Sequence, residues 1–586
     1  MVIILRIYTL NLNIIVEFQN YMEPQTSGTL EQITSGEPEF VIFKVGGSSS
    51  AGAAQHRTIV NLTRKNKARR MIVISAPGET EGKHNIKFTD LAIAYANRYA
   101  EEQYGSRTLP EIEYSVDKTK ATSHLTTQQL EEKIVALLKD AYFEHESTHG
   151  LVEATMQALS YNAKTFKYTS KKLRSIPKAK DEWSDEVKAA YNAFIRSTIA
   201  QSRKNISQKQ HSVNVQHIGE LFNAYNISGA YRAEIDSEQR LHHYQHVVVL
   251  DPRKFIKVNG GDPLEGDVLQ QATQQLFKRW KAGEIALDGI PAYDKDTIYV
   301  FPGYIGENQE GETSLLGRDG TNRSFVQAIL GLNPDFGENF SDVKGVLEVT
   351  PKFKDERGNE YALIEISDNK VIKEITPKEF LESAYRLEFK VFQGRALADL
   401  DSAGVFPEIQ IKSFENEHER GTAIVCARNY GRRNINGIGV KKVVSVKIDD
   451  HKMSEKPGYL GKAADTLRDM GYNIRHTRDP ETEITFYVDC PAYKEGITIE
   501  ADIKRVLTRE LKLNNHAVDV KHGEVVVGVI GGEMDSGKIL ADLSCTLSKG
   551  LIDFAGYATS SKTAMYFVVK ADHTKNAVKL LHDTYL

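Results

Sequence analysis

Cysteine is almost missing from this chain: Cys426, Cys490 and Cys545 are the three in 586 residues. They lie far apart and form no CxxC pair, which argues against a disulfide framework and a structural zinc site and fits a reducing compartment. An excess of either charge is missing too. Lys+Arg 75 against Asp+Glu 79 leaves a formal charge of -4, so no global field draws the protein onto nucleic acid or an acidic membrane. Long apolar runs are scarce. The opening stretch MVIILRIYTLNLNIIVEF is broken by Arg6, Asn11 and Asn13, too short to span a bilayer and without a small-residue cleavage site. Residues 1–38 therefore read as an N-terminal extension of a cytoplasmic protein, with Met22 as an alternative start and a weak signal peptide as the competing reading. Proline is thin, 16 against 42 glycines, which points to tight turns rather than rigid linkers. What remains, 40% hydrophobic and 26% charged residues, is the composition of a globular chain long enough for several domains.

From residue 39, EFVIFKVGGSSSAGAAQHRTIVNL reads as a buried strand, a glycine turn and a helix, and ARRMIVISAPGET as a second strand and turn. That order opens an α/β layered domain, in which loops at the carboxyl ends of parallel strands form the binding crevice. Chemistry is expected on Gly46 to Ser50 and on Ser75 to Gly78. Between about 104 and 212 the sequence is polar, lysine-rich and helical in pattern, an insertion whose basic run reads as a solvated helix face. Strands resume with HVVVLD and TIYVFPGYIG. After Cys426, two strand-helix-strand units follow in tandem, suited to ferredoxin-like α+β modules. The expected division is 39–430 for the α/β domain and 431–586 for the modules.

Lys44 just ahead of Gly46 and Gly47 puts a cation beside bare backbone N–H groups at a strand-to-helix turn, an arrangement that suits a phosphate. Alone it is matched by a simple tight turn with a surface lysine. His242, His243 and His246 cluster in sequence, but no cysteine or carboxylate set accompanies them, so they read as surface histidines and no metal site is expected.

Six ordered segments resemble the aspartokinase family. Lys44-Val45-Gly46-Gly47-Ser48-Ser49 resembles its K-F-G-G-[ST]-S signature, and SAPGET with Lys87-Phe88-Thr89-Asp90-Leu91 resembles S-A-P-G-K followed by K-x-T-D-L. GRDGTNRS, ENFSDVKGVLEVTPKF, VIKEITPKEFLESAYRLEFKVFQGRAL and AGVFPEIQIKSFENEHERGTAIV match later family segments in the same order. The resemblance covers nearly everything from 39 to 586 except the insertion. It implies an amino-acid-kinase three-layer fold with two C-terminal ACT domains. The activity it implies is phosphorylation of L-aspartate to 4-phospho-L-aspartate by ATP with Mg²⁺, the first step toward lysine and threonine.

Position by position, the resemblance assigns Lys44 and Lys390 to the phosphoryl group and the nucleotide phosphates, with Asn322 at the position of a charge that fixes those lysines. It assigns Ser48, Ser75, Glu220 and Arg318 to the amino-acid substrate: Arg318 to its α-carboxylate and Glu220 to its α-amino group. Gly46, Gly47, Ser341, Asp342 and Lys352 fall to the nucleotide. MSEKPGYL, with Met453, Gly458 and Tyr459, resembles the first loop of an ACT effector pocket, implying an amino-acid effector and a dimer formed through the ACT domains; core packing is the competing role for Tyr459.

Departures from the pattern fall at charged positions. Asn322 stands where the family has an aspartate, Asp319 replaces a glycine, Ile218 an arginine, and Gln393-Gly394 a histidine-containing pair. An asparagine can hydrogen-bond but supplies no charge between two lysines. Two alternatives follow: a catalytically impaired homologue that binds ligands in a regulatory role, or a kinase for another carboxylate metabolite.

Overall fold

The computed structural model describes residues 38–50, 52–78, 88–104, 125–140, 208–236, 241, 244–354, 360–386, 392–428, 434–450, 453, 457–478, 482–489, 499–514 and 516–586. The large compact unit is Phe40–Leu586.

Strand β1 (Val41–Val45) runs into a short turn of helix, Ser48–Ser50, and then α1 (Ala53–Lys65) and β2 (Arg69–Ile74). The helices α2 (Phe88–Tyr104), α3 (Thr127–Asp140) and α4 (Gln208–Asp236) follow; of the insertion expected at about 104–212, residues 105–124 and 141–207 lie outside the described residues. Next come β3 (His246–Val249), α5 (Gln270–Lys281), β4 (Thr297–Pro302), the hairpin β5 (Ile305–Glu307) and β6 (Thr313–Leu315), α6 (Thr321–Leu332) and β7 (Phe336–Ser341). A second small hairpin, β8 (Phe353–Lys354) and β9 (Glu360–Tyr361), precedes β10 (Glu374–Ile375), α7 (Pro377–Arg386), α8 (Gly394–Ala403), β11 (Ile409–Ser413) and β12 (Thr422–Ile424).

Eight of these strands form one sheet in the order β10-β12-β11-β7-β1-β2-β4-β3. Every pairing is parallel except β11 with β12. Alternation along β1 explains the layers, because successive side chains leave opposite faces of a strand. Phe43 and Val45 pack with Ile59 of α1 and Ile227 of α4. Phe40 and Ile42 face the other way, with Phe277 of α5 and Phe325 of α6. Helix α4 is buried almost all round, from Ser212 to Tyr231, as a helix clasped between the sheet and other helices must be.

The C-terminal region holds β13 (Ile435–Asp449), α9 (Tyr459–Asp469), β14 (Ile474–Arg478), β15 (Glu483–Val488), α10 (Ile499–Leu511) and β16 (Val518–Gly531). It continues with α11 (Gly537–Lys549), β17 (Phe554–Ser560), β18 (Ala564–Lys570) and α12 (Thr574–Tyr585). Its six strands make one sheet, β14-β15-β13-β16-β18-β17. Strands β13 and β16 pair antiparallel from end to end, so each crosses both modules, and the first module is threaded into the second rather than following it.

Among the described residues no helix is long and apolar enough to cross a membrane.

Candidate active site

A cavity of about 470 Å³ opens at the carboxyl ends of four neighbouring parallel strands, β7, β1, β2 and β4. Its size falls within the roughly 300–1,000 Å³ of small-molecule sites. Lys44, Gly46 and Gly47 line it from the end of β1, Ser75 and Gly78 from β2, Tyr304 from β4, and Ser341 and Asp342 from β7. Three helices begin at its wall: Phe88 and Asp90 lie in the first turn of α2, Gly320 to Asn322 open α6, and Gln393 and Gly394 open α8. Helix N-termini present unpaired N–H groups and a partial positive charge, which together favour anions.

The turns are held to one another by backbone bonds. The Gly78 N–H donates to the Gly47 carbonyl at 3.0 Å, and the Gly303 N–H to the Ile74 carbonyl at 2.7 Å. Ser75 and Thr321 hydroxyls meet at 2.9 Å, tying β2 to the start of α6. Lys44 shares a face of β1 with Ile42, the face that α6 covers, and sits in register with Val73 and Asn339.

Arg318 donates to Asp90 at 3.2 Å; Asp90 is buried while the arginine is about half exposed. The Gln393 side-chain amide donates to the Arg318 carbonyl, so side chain and backbone of Arg318 are fixed separately. Asp319 takes a left-handed backbone, φ 59°, a conformation aspartate tolerates better than most residues. Tyr304, also left-handed at φ 72°, keeps its phenol protonated: burial pushes it up first, and the carboxylates of Asp319 and Glu220 add to the effect.

Glu220 lies behind the cavity wall. It is fully buried on α4, accepts from the Gln216 amide at 2.8 Å and from the Ala76 N–H, and Gln216 and Ala76 both line the cavity. Burial raises its carboxyl to about 8, against the pull of those two donors, and Oε2 has no hydrogen-bond partner. Below that value the carboxyl is neutral, and a cation beside it would favour the ionised form. Asn322, in the first turn of α6, is 7% exposed and its Oδ1 is likewise buried without a partner.

Of the residues singled out in sequence, Lys44, Gly46, Gly47, Ser75, Arg318, Asn322, Ser341 and Asp342 meet in this one cavity. Ser48 opens the short turn beside it. Lys390 lies outside the described residues, as do His242 and His243, while His246 is exposed at the start of β3. Lys352 does not join them: its side chain is 73% exposed, 3.5 Å from Glu360 of the β8–β9 hairpin. Gln393 enters the sequence reading only as a departure from the family pattern, Asp90 and Tyr304 lie inside quoted segments without a role of their own, and nothing local marks Gln216.

In the C-terminal sheet, Met453 and Tyr459 are buried in the first module's core with Val446, Ile448 and Leu467. Gly458, with φ 78°, caps the start of α9 and is exposed. Burial, with Asp450 adding to it, holds the Tyr459 phenol above its usual range.

No family model matches the chain. It is 24% identical over 548 residues to Aspartokinase 3 of Bacillus subtilis, across 93% of this chain and 98% of that protein. The aspartokinase of Helicobacter pylori is 22% identical over 303 residues, 50% of this chain and 68% of that one. Among solved structures, aspartate kinase of Clostridium acetobutylicum superposes with a TM-score of 0.62 at 18% identity, covering 93% of this chain and 100% of that one. Aspartokinase III of E. coli in complex with lysine and aspartate gives 0.61 at 15%, covering 94% and 100%. Over nearly its whole length the chain is similar in sequence to an aspartokinase, and it shares with the solved aspartate kinases the amino-acid-kinase fold followed by paired ACT modules.

Proposed function

We propose that this chain transfers the γ-phosphoryl group of Mg²⁺-ATP to the side-chain carboxylate of L-aspartate, giving 4-phospho-L-aspartate and ADP. The observation that carries the reading is the meeting, in one cavity, of Lys44, two glycine turns, three helix N-termini and Arg318. The E. coli relatives have been solved with aspartate and ADP, and with lysine and aspartate.

In this reading a carboxylate oxygen attacks the γ-phosphorus as the bond to the β,γ-bridging oxygen breaks, and ADP departs with that electron pair. Charge spreads over the equatorial oxygens, so positioned cations and N–H donors do most of the work. Lys44 and the N–H groups of Gly46 and Gly47 serve the phosphoryl group, and Lys390 the nucleotide phosphates. Ser341 and Asp342 hold the nucleotide. Arg318 grips the α-carboxylate bidentately, exchanging part of its bond to Asp90, and Glu220 accepts the α-ammonium. No cluster of three or more His, Cys, Asp or Glu side chains among the described residues makes a resident metal cage; the single carboxylates Asp319 and Asp342 fit a Mg²⁺ that arrives on the nucleotide phosphates. Met453, Gly458 and Tyr459 mark the place where an amino-acid effector would act, in a dimer joined through the ACT modules.

The test is purified protein with Mg²⁺-ATP and aspartate, the acyl phosphate being trapped with hydroxylamine. Hydroxamate above background supports the reading; none, together with no thermal shift from ATP, sinks it. A second reading, an impaired regulatory homologue, is favoured by the uncharged Asn322 and its unpartnered Oδ1. In that case ATP shifts the melting temperature without hydroxamate above background, and Asn322→Asp, which restores the charge, brings hydroxamate formation above background.

A further inference from the structure

Behind the cavity lies a polar network that the reaction as described does not use. His56 of α1, Asn223 of α4 and Ser50 are each 0% exposed. The Asn223 amide contacts the Ser75 carbonyl at 2.6 Å, and a carbonyl only accepts, so the atom facing it is Nδ2. The same Nδ2 donates to the Ser50 hydroxyl at 3.0 Å. Oδ1 therefore faces His56 Nε2, at 3.0 Å, and that nitrogen also lies 3.0 Å from the Ser50 carbonyl. Two acceptors on one nitrogen fix the tautomer: Nε2 carries the hydrogen and Nδ1 is bare. Burial lowers His56 to about 4, so the ring stays neutral. Ser50 closes the circuit, its hydroxyl lying 3.1 Å from the Gly46 carbonyl and 3.3 Å from that of Gly47.

One asparagine thus binds the glycine turn after β1 to the turn after β2, and Ser75 passes the constraint on to Thr321 at the start of α6. We propose that Asn223 and His56 are positioning residues for the phosphoryl transfer, setting from behind the spacing of the loops that face the phosphates. The inference rests on the function proposed above. A misplacement of about 1 Å in such loops costs on the order of a hundredfold in rate.

A matched control is built into the fold. Thr63 of α1 and Tyr231 of α4 share a buried hydrogen bond of 2.7 Å between the same two helices, away from the loops. The experiment compares the full-length wild type with Asn223→Ala, His56→Ala, His56→Gln and Tyr231→Phe in the hydroxamate assay. Melting temperatures and calorimetric affinity for a Mg²⁺-bound non-hydrolysable ATP analogue are measured alongside. Asn223→Ala is expected to lower kcat by about a hundredfold with aspartate KM within about threefold. His56→Ala loses about tenfold, and His56→Gln, which keeps an N–H donor, recovers most of it. Tyr231→Phe lowers the melting temperature comparably and leaves kcat within about twofold. Equal kcat in Asn223→Ala and Tyr231→Phe overturns the proposal while leaving the proposed function intact. If the wild type makes no hydroxamate, that function fails, and the positioning role is read from the analogue: an affinity about tenfold weaker in Asn223→Ala alone supports it, and equal affinities or no binding by the wild type overturn it. Should Asn223→Ala not fold, Asn223→Asp, of the same size but without the two N–H donors, takes its place.

Discussion

Glu220 shows how one buried carboxylate sets a pH dependence. Burial raises its pKa from 4.5 to about 8, so the folded protein holds that proton more tightly than the unfolded chain does. Its contribution to stability is therefore complete below the unfolded value and drains away as pH rises toward about 8, at no more than about 1.4 kcal/mol per pH unit. Glu220→Gln keeps the shape and removes the titration. Denaturant unfolding without ligand, at several pH values between about 5 and 8, should show a loss of stability in the wild type that is reduced in the variant; the same slope in both would reject the assignment. An ammonium group on Glu220 needs the ionised form, so aspartate KM should fall as pH rises toward about 8. In Glu220→Gln it should be higher by about a hundredfold and flat with pH.

At the scale of the element, the turn after β1 places two consecutive glycines under opposite constraints. A Cβ on Gly47 would lie 2.5 Å from the Ala76 carbonyl oxygen, whereas one on Gly46 would meet nothing within 4 Å. Gly46→Ala should therefore leave the melting temperature unchanged while its methyl, projecting beside the cavity, weakens ATP by about tenfold. Gly47→Ala must push the two turns apart, costing about 1–3 kcal/mol as an overpacked site does, and its melting temperature should fall with its activity. Melting curves and ATP titrations on both variants check the contrast. The strand-turn-helix order that creates this turn was legible in the sequence, because apolar runs bounded by glycines carry it locally. His56 and Asn223 were not: they are polar residues on buried helix faces, 167 positions apart, and only the packing of α1 against α4 gives them a common purpose. Lys352 misled for the converse reason, since a residue beside a matching motif can still turn to solvent and pair with a neighbouring hairpin. Nor did the tandem pattern reveal that β13 and β16 run through both modules, because long-range pairing leaves no local mark.

Across the large unit, the C-terminal sheet works through both of its faces. On β18, Met565, Phe567 and Val569 pack beneath α11 and α12, while Tyr566 and Val568 turn toward the kinase domain and join its core with Phe380 of α7. The Tyr566 hydroxyl donates to Glu382 of α7 at 2.6 Å, and its ring packs on His476 of β14 with centroids 4.5 Å apart. Helix α7 carries Ala384 into the cavity wall. Its start is fixed by a reciprocal cap between Thr376 and Glu379, whose other oxygen accepts from Arg428 at 2.7 Å on the path into β13. One helix thus touches both the cavity and the sheet, and any coupling between them is a free energy that can be measured. Tyr566→Phe removes the hydroxyl and keeps the ring. Hydrogen exchange should speed up in 377–386 and stay unchanged in α6, and a double-mutant cycle with Glu382→Gln should return about 1 kcal/mol of coupling. The hydroxamate rate should change as well, although the substituted atom belongs to the other sheet. Unaltered exchange in α7, with additive effects of the two substitutions, would mean that the ACT sheet merely rests on the kinase domain and does not steer it.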